Sequence, residues 1–393
     1  MARRWQGLAL LFTLRATMAF QFATVGALGP LVQERFAVDA AGLGLLIGLY
    51  VAPGIAVSLP GGLFGKRFGD VRVIGAGLCL MIAGGLLMSL SSGWGLQLAG
   101  RVLAGAGGVF LNVLMTKMVT DWFAGREIAT AMASFVNAWP GGIALALVAQ
   151  PMVAEAGGLV AAQALAVALS GAGLIWLLLQ PLPEGPAQAG PVRAWPAGRG
   201  LAAILLAGCV WGLYNGGFAL LLSFGPTLMV ERGTALVEAS RAVSLVFWVI
   251  AVFGVRGGAL ADRTGRPGLV LVGATLVQAG LLLLFASGGS SVALLLAIGV
   301  MVGLPSGPIM AMPARALAPA ERSVGMGLFY TVYYLWFALI PPAAGAAIEV
   351  AGTAAAALVL GAGLLMTSLA CAAGFEGVVR GVVRPAPQAG STR

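Results

Sequence analysis

Arg15 stands inside an apolar run about ten residues beyond Trp5, or about 15 Å along a helix axis. A guanidinium at that depth in an apolar medium is costly, and it lines a cavity or meets a partner. Its planar fork matches a carboxylate or another oxyanion through parallel hydrogen bonds. Trp211, Tyr214, Asn215 and Phe218 follow i, i+3, i+4, i+7 spacing and share one helical stripe. Tyr330, Tyr333, Tyr334 and Phe337 form a second such stripe, and Asn112 and Asn137 add polar groups at depth. One cation, several amides and a wall of rings are equipment for holding a solute. The competing roles are structural: Arg15 bonded to helix carbonyls, rings as packing, and asparagines as links between helices. Thr13, Thr17, Gln21 and Thr24 make a polar stripe on the other side of the Arg15 helix. Both faces cannot line one cavity, and the matching stripe at 211–218 favours the Arg15 face.

The residues that are missing narrow the chemistry. All 13 acids fall in loops or near helix ends, and the chain has no His. No buried carboxylate is available to carry a proton or neutralise a cationic drug. No metal-ligand cluster occurs, and no nucleophile stands beside a base. No Gly-Lys-Ser/Thr loop cradles phosphates, which argues against direct ATP drive. The expectation is a protein that is not an enzyme and needs neither cofactor nor metal.

The elements that position these residues follow from composition. Hydrophobic residues make up 60% of the 393 and charged residues 9%, against about 25% charged in soluble domains. The solvent of such a chain is lipid. Abundant Gly (60 residues) suits close helix packing there, and helices satisfy their own backbone. Twelve apolar stretches have spanning length: 8–32, 41–64, 71–91, 95–119, 128–153, 158–182, 200–230, 238–260, 268–287, 291–315, 324–348 and 353–374. Pro53, Pro140, Pro305 and Pro341-Pro342 are expected to interrupt their helices. The Pro/Gly-rich segment 183–199 reads as a linker. The division is thus 1–182 and 200–374 as two six-helix bundles, with 375–393 a disordered tail.

Lys and Arg set the orientation. With the N-terminus in the cytoplasm, the outer side keeps only Arg35, Arg101, Arg232 and Arg241, and Arg15 is within the membrane. The positive-inside rule then places both termini in the cytoplasm. The net charge of +9 reflects this topology and contact with anionic lipid, and is no sign of nucleic-acid binding. Twenty Arg against two Lys fit a GC-rich bacterial genome, hence a bacterial inner membrane. Cys79, Cys209 and Cys371 lie in predicted helices and read as core fillers.

A short signature occurs twice, half a chain apart. The second copy contains Gly258, Asp262, Arg263, Gly265 and Arg266; the first contains Gly62, Lys66, Arg67, Gly69 and Asp70. Gly29-Pro30 recurs as Gly225-Pro226, and Arg126 as Arg322. A half-length repeat in so apolar a chain marks a two-bundle carrier. The pattern Gly-x-x-x-Asp-Arg-x-Gly-Arg resembles the loop signature of the major facilitator superfamily, matched in full by the second copy. Arg101-x-x-x-Gly105-x-Gly107 is similar to a pattern on that family's fourth helix. The run from Asn112 to Phe123 is similar to its cyanate and nitrate/nitrite-like branches. The resemblance implies that the loop residues act in gating. Asp262 would meet a helix start in the other bundle, while Arg263 and Arg266 would bond the last carbonyls of their own helix. Lys66 stands where the signature has Asp, and Asp70 where it has a base, so the first-half latch should be wired differently. The resemblance also makes Arg101 a candidate for coupling, against a structural role.

The resulting expectation is an all-α, twelve-helix membrane protein of two pseudo-symmetric bundles. It would be a monomeric secondary transporter moving a small solute, most plausibly an anion, by alternating access. Arg15, Asn112, Asn137, Trp211, Tyr214, Asn215, Tyr330, Tyr333 and Tyr334 would bind the substrate. Coupling could be to a proton or a counter-anion, or transport could be plain facilitation. The alternatives are efflux of apolar, drug-like compounds and, more remotely, a membrane sensor that transports nothing.

Overall fold

The computed structural model describes residues 2–123, 128–180, 182, 195–289, 291–317 and 321–380. Within its helices the side chains at 2, 59, 61–63, 66, 128–130, 133, 255, 258, 259, 262, 322 and 323 lie outside the described residues. The described elements are helical in chain order: α1 (Ala2–Ala27), α2 (Gly29–Phe36), α3 (Ala40–Leu49), α4 (Pro53–Phe68), α5 (Asp70–Leu90), α6 (Trp94–Phe123) and α7 (Ile128–Leu179). Then follow α8 (Gly198–Glu231), α9 (Leu236–Thr264), α10 (Pro267–Ala286), α11 (Val292–Gly303), α12 (Ser306–Ala316), α13 (Arg322–Ala351) and α14 (Ala355–Arg380). No strand occurs among the described residues.

Among the described residues, eleven stretches of helix are long and apolar enough to cross a membrane. One of them belongs to α7, which is two helices: Gly158 (φ 74°, ψ −178°) turns the chain where the fifth and sixth predicted spans meet. Only a residue without Cβ adopts that backbone readily. Counting α7 as two gives the twelve spans expected.

The prolines divide into two groups. The second span breaks into α3 and α4 just before Pro53, and the tenth breaks into α11 and α12 at Leu304-Pro305. Pro140 and Pro341-Pro342, also expected to interrupt, sit inside the continuous helices α7 and α13. A helix tolerates Pro when its neighbours occupy the freed backbone. On α13 the neighbour is α3: Pro342 frees the Ala338 carbonyl, and Gly48 lies directly against it. At the other boundaries, α14 continues to Arg380, past the expected end at 374, and α8 begins at Gly198, inside the expected linker.

Packing forms two bundles. In the first, α1 lies on α7 and α6, and α5 on α6 and α7. In the second, α8 lies on α14 and α13, and α9 on α11. Between the bundles α3 and α4 meet α13, α7 meets α9, and α1 and α2 meet α8. The bundles press together at one end. There Gly26 abuts Leu222 and Ser223, Gly345 abuts Ala40 and Ala41, and the Ala40 amide donates to Glu349 Oε1 at 2.7 Å. Toward the other end the close approaches of Gly65, Gly257 and Gly325 are to neighbours in their own bundle.

Candidate functional site

Arg15 projects from α1 toward the seam between the bundles. Its Nη1 donates to Asn112 Oδ1 on α6 at 2.8 Å, and Asn112 Nδ2 donates to the Tyr334 hydroxyl on α13 at 2.9 Å. The guanidinium lies 4.5 Å from the centre of the Phe135 ring. Its Nε is buried and has no partner among the described residues, and none of the ion pairs there includes Arg15. A cation held by an amide and a ring, without a carboxylate, retains unspent capacity for an anion.

The rings of α13 join this cation through Asn112 and Tyr334. Tyr333 and Tyr334 lie 4.9 Å apart centre to centre, and Tyr330 is 6.2 Å from Tyr333. Trp211 on α8 stacks on Tyr333 at 6.2 Å. Tyr333 stacks on Phe337 at 5.4 Å, and Phe337 on Phe22 of α1 at 5.7 Å. These separations are typical of interacting aromatic pairs. Arg15, Asn112, Trp211, Tyr330 and Tyr333 are half-buried, so their surfaces remain partly open, while Tyr334 is buried. Gly54 of α4 lies under the Tyr334 ring, where a Cβ would overlap it.

Tyr214 and Asn215 sit differently from their expected role. Tyr214 is fully buried and donates to the Val302 carbonyl at 2.6 Å. The break before Pro305 ends α11 and strips its last carbonyls of helical partners, and the hydroxyl fills one of them. Asn215 Nδ2 donates to Trp211 O of its own helix at 2.8 Å, leaving its carbonyl end free of that bond. Asn137 faces Gly254 of α9 across the bundle interface.

The second polar face of α1 turns away from the seam. Gln21 Nε2 donates to Met81 O at 2.9 Å, and Gln150 Nε2 donates to Thr24 Oγ1 at 2.8 Å, both inside the first bundle. A void of about 10 Å³ there, lined by Gln21, Thr24, Arg101 and Gln163 among others, has room for at most one water. Arg101 borders it, 1% exposed, and donates to the carbonyls of Leu46 (3.0 Å), Gln21 (2.9 Å) and Phe22 (2.7 Å). Its guanidinium also lies over the Tyr50 ring at 4.5 Å. The Leu46 carbonyl is one of those the end of α3 leaves open. Arg101 therefore fastens α6 to α1 and α3.

The loop signatures are only partly described. Gly62, Lys66, Gly258 and Asp262 lie outside the residues whose side chains are described. Gly69 (φ 89°) makes the turn between α4 and α5, and Gly265 (φ 61°) the turn after α9. Asp70 begins α5 and receives Lys117 Nζ of α6 on Oδ2 at 2.6 Å; Asp121 lies 4.0 Å from the same amine. Asp70 Oδ1 is buried without a partner. Arg67, Arg263 and Arg266 are exposed. At the end of α9 the Thr264 hydroxyl lies 2.8 Å from the Leu260 carbonyl and 3.3 Å from that of Ala261. It reaches back one turn at little entropic cost.

Sequence reasoning missed Phe135, Gly54 and the Asp70–Lys117 pair. Phe135 adjoins Ser134, the half-chain image of Tyr330, and that neighbourhood was the available signal. A crevice of about 430 Å³ between α4, α5 and α6, lined by Phe64, Phe68, Arg72 and Phe110 among others, touches none of the site residues.

Comparison with known proteins bears on the whole chain. The family model of the Major Facilitator Superfamily matches residues 11–341. No curated protein matches the sequence. The crystal structure of a bacterial homolog to the human lysosomal transporter Spinster, in an inward-facing and occupied conformation, is similar in fold. Its TM-score is 0.74 at 17% identity, covering 98% of this chain and 99% of that one.

Proposed function

The chain belongs to the major facilitator superfamily, and from that premise we propose that it is a secondary transporter of a small organic or inorganic anion working by alternating access. It is a multi-pass membrane protein of a transport family; the anion is the finer reading. The supporting observation is Arg15, a cation at the seam of two bundles whose Nε has no partner. On this reading Arg15, Asn112, Tyr330, Tyr333, Tyr334 and Trp211 meet the solute, with Asn137 and Asn215 at the margin. The units 1–182 and 200–374 rock about the site, joined by 183–199, in a bacterial inner membrane with both termini in the cytoplasm. The end carrying Arg35 and Glu349 is then the outer side, shut here, and the loops around Asp70 and Arg263 gate the inner side. A proton or a counter-anion drives the cycle.

The test is ligand-dependent thermal stabilisation of the purified chain by a panel of anions, with Arg15→Ala beside it. Stabilisation that disappears in Arg15→Ala supports the reading. The clustered rings favour a second reading, efflux of apolar compounds. Export of neutral compounds that survives in Arg15→Ala, with anion uptake also intact, would support that one.

A further inference from the structure

Resting on the anion reading, we infer that the solute is a monoanion with a flat, apolar, ring-sized body, an aromatic monocarboxylate being the simplest member. Two properties of the site carry this: its charge and its walls.

The charge is a single positive one. Arg101, the other guanidinium deep among the described spans, is committed to three carbonyls. Lys117 is matched by Asp70. Arg256 is exposed and lies over the Phe253 ring of its own helix at 5.0 Å. Arg15 therefore faces the seam with one uncompensated charge. A monoanion neutralises it, whereas a dianion would carry an unpaired negative charge into a medium where such a charge is expensive. The geometry fits a carboxylate: Asn112 holds Nη1, which leaves the edge of the guanidinium at Nε for the planar group.

The walls are faces of rings. Trp211, Tyr333 and Tyr330 are half-buried and form a connected group of rings on the second bundle that reaches the cation through Tyr334 and Asn112, with Phe135 against the guanidinium from the first. A nitrate or acetate ion would reach Arg15 without engaging the exposed parts of those rings. A planar hydrocarbon body lies along the half-exposed surfaces of Trp211, Tyr330 and Tyr333 and gains aromatic contact with them.

Binding to the full-length purified chain discriminates these cases with benzoate, cyclohexanecarboxylate, acetate, nitrate and phthalate as probes, on wild type, Arg15→Ala and Tyr333→Leu. The inference expects benzoate to stabilise wild type and bind at least about tenfold tighter than acetate, nitrate or phthalate. It expects the benzoate effect to vanish in Arg15→Ala and shrink in Tyr333→Leu, with cyclohexanecarboxylate between benzoate and acetate. Arg15-dependent binding in which acetate, nitrate or phthalate equals benzoate overturns the inference and leaves the anion reading standing. Absence of any Arg15-dependent anion binding overturns both. Should a variant fail to fold, the wild-type ranking of benzoate against phthalate and acetate still decides, because it needs no substitution.

Discussion

Asn112 and Tyr334 lie 222 positions apart in the chain and are joined by a 2.9 Å hydrogen bond that crosses from one bundle to the other. Asn112 also accepts from Arg15. The cation, the amide and the phenol thus form one line across the seam, and on the proposed function a solute at Arg15 would bear directly on a bond between the two bundles.

Replacing Tyr334 with Phe keeps the ring and removes the acceptor for Asn112 Nδ2. Leaving that amide unpaired costs about 1–3 kcal/mol where water cannot reach it. The expected outcome is a lower melting temperature without ligand and a larger fraction of molecules with the bundles parted. Reactivity of an Ala41→Cys probe at the closed end measures that fraction. Unchanged melting and unchanged labelling would refute the linkage.

Arg101 tests structure against coupling. Arg101→Lys retains charge but cannot reach three carbonyls with one flat fork. Each carbonyl left unpaired costs about 1–3 kcal/mol, so the expected result is a strongly destabilised protein. Its folded fraction should keep wild-type ligand ranking. A stable variant with an altered pH dependence of transport would instead make Arg101 a coupling residue.

Glu349 closes the outer end by accepting the Ala40 amide at the start of α3, beside the Asp39 cap on Gly42. Its negative charge also favours that helix start. Glu349→Ala is expected to raise labelling of Ala41→Cys several-fold and leave benzoate or other anion affinity within about twofold, because Glu349 is remote from Arg15. Equal labelling in both backgrounds would show that the latch contributes nothing.

Asp70 and Lys117 are best examined together. Either single neutralisation strands a partly buried charge, whereas exchanging both, Asp70→Lys with Lys117→Asp, restores a pair of opposite sense. The double exchange is expected to melt above at least one of the corresponding single exchanges. Additive losses in thermal denaturation would show that the pair is not coupled.

Much of the fold was legible because lipid imposes simple rules. Length and apolarity marked the spans, and the repeated signature marked the two halves. The Arg15 face could be preferred over the Gln21 face because Trp211 and Phe218 offered an image in the second half. What stayed hidden depends on backbone atoms that a residue string does not display. Whether Pro342 breaks a helix depends on Gly48 lying against the Ala338 carbonyl that it leaves free. The role of Arg101 depends on carbonyls left free by the end of α3, and the fate of Tyr214 on the carbonyl of Val302. The Asp70–Lys117 pair spans two helices, and its partners have no periodic relation in the sequence.

Gly44 and Gly48 of α3 and Gly345 of α13 meet chiefly main chain instead of interlocking side chains. A surface of that kind shuts tightly yet has no knobs to withdraw and no rotamers to re-sort when it opens. On the proposed cycle, opening there would separate main chain from main chain, with few side chains to rearrange.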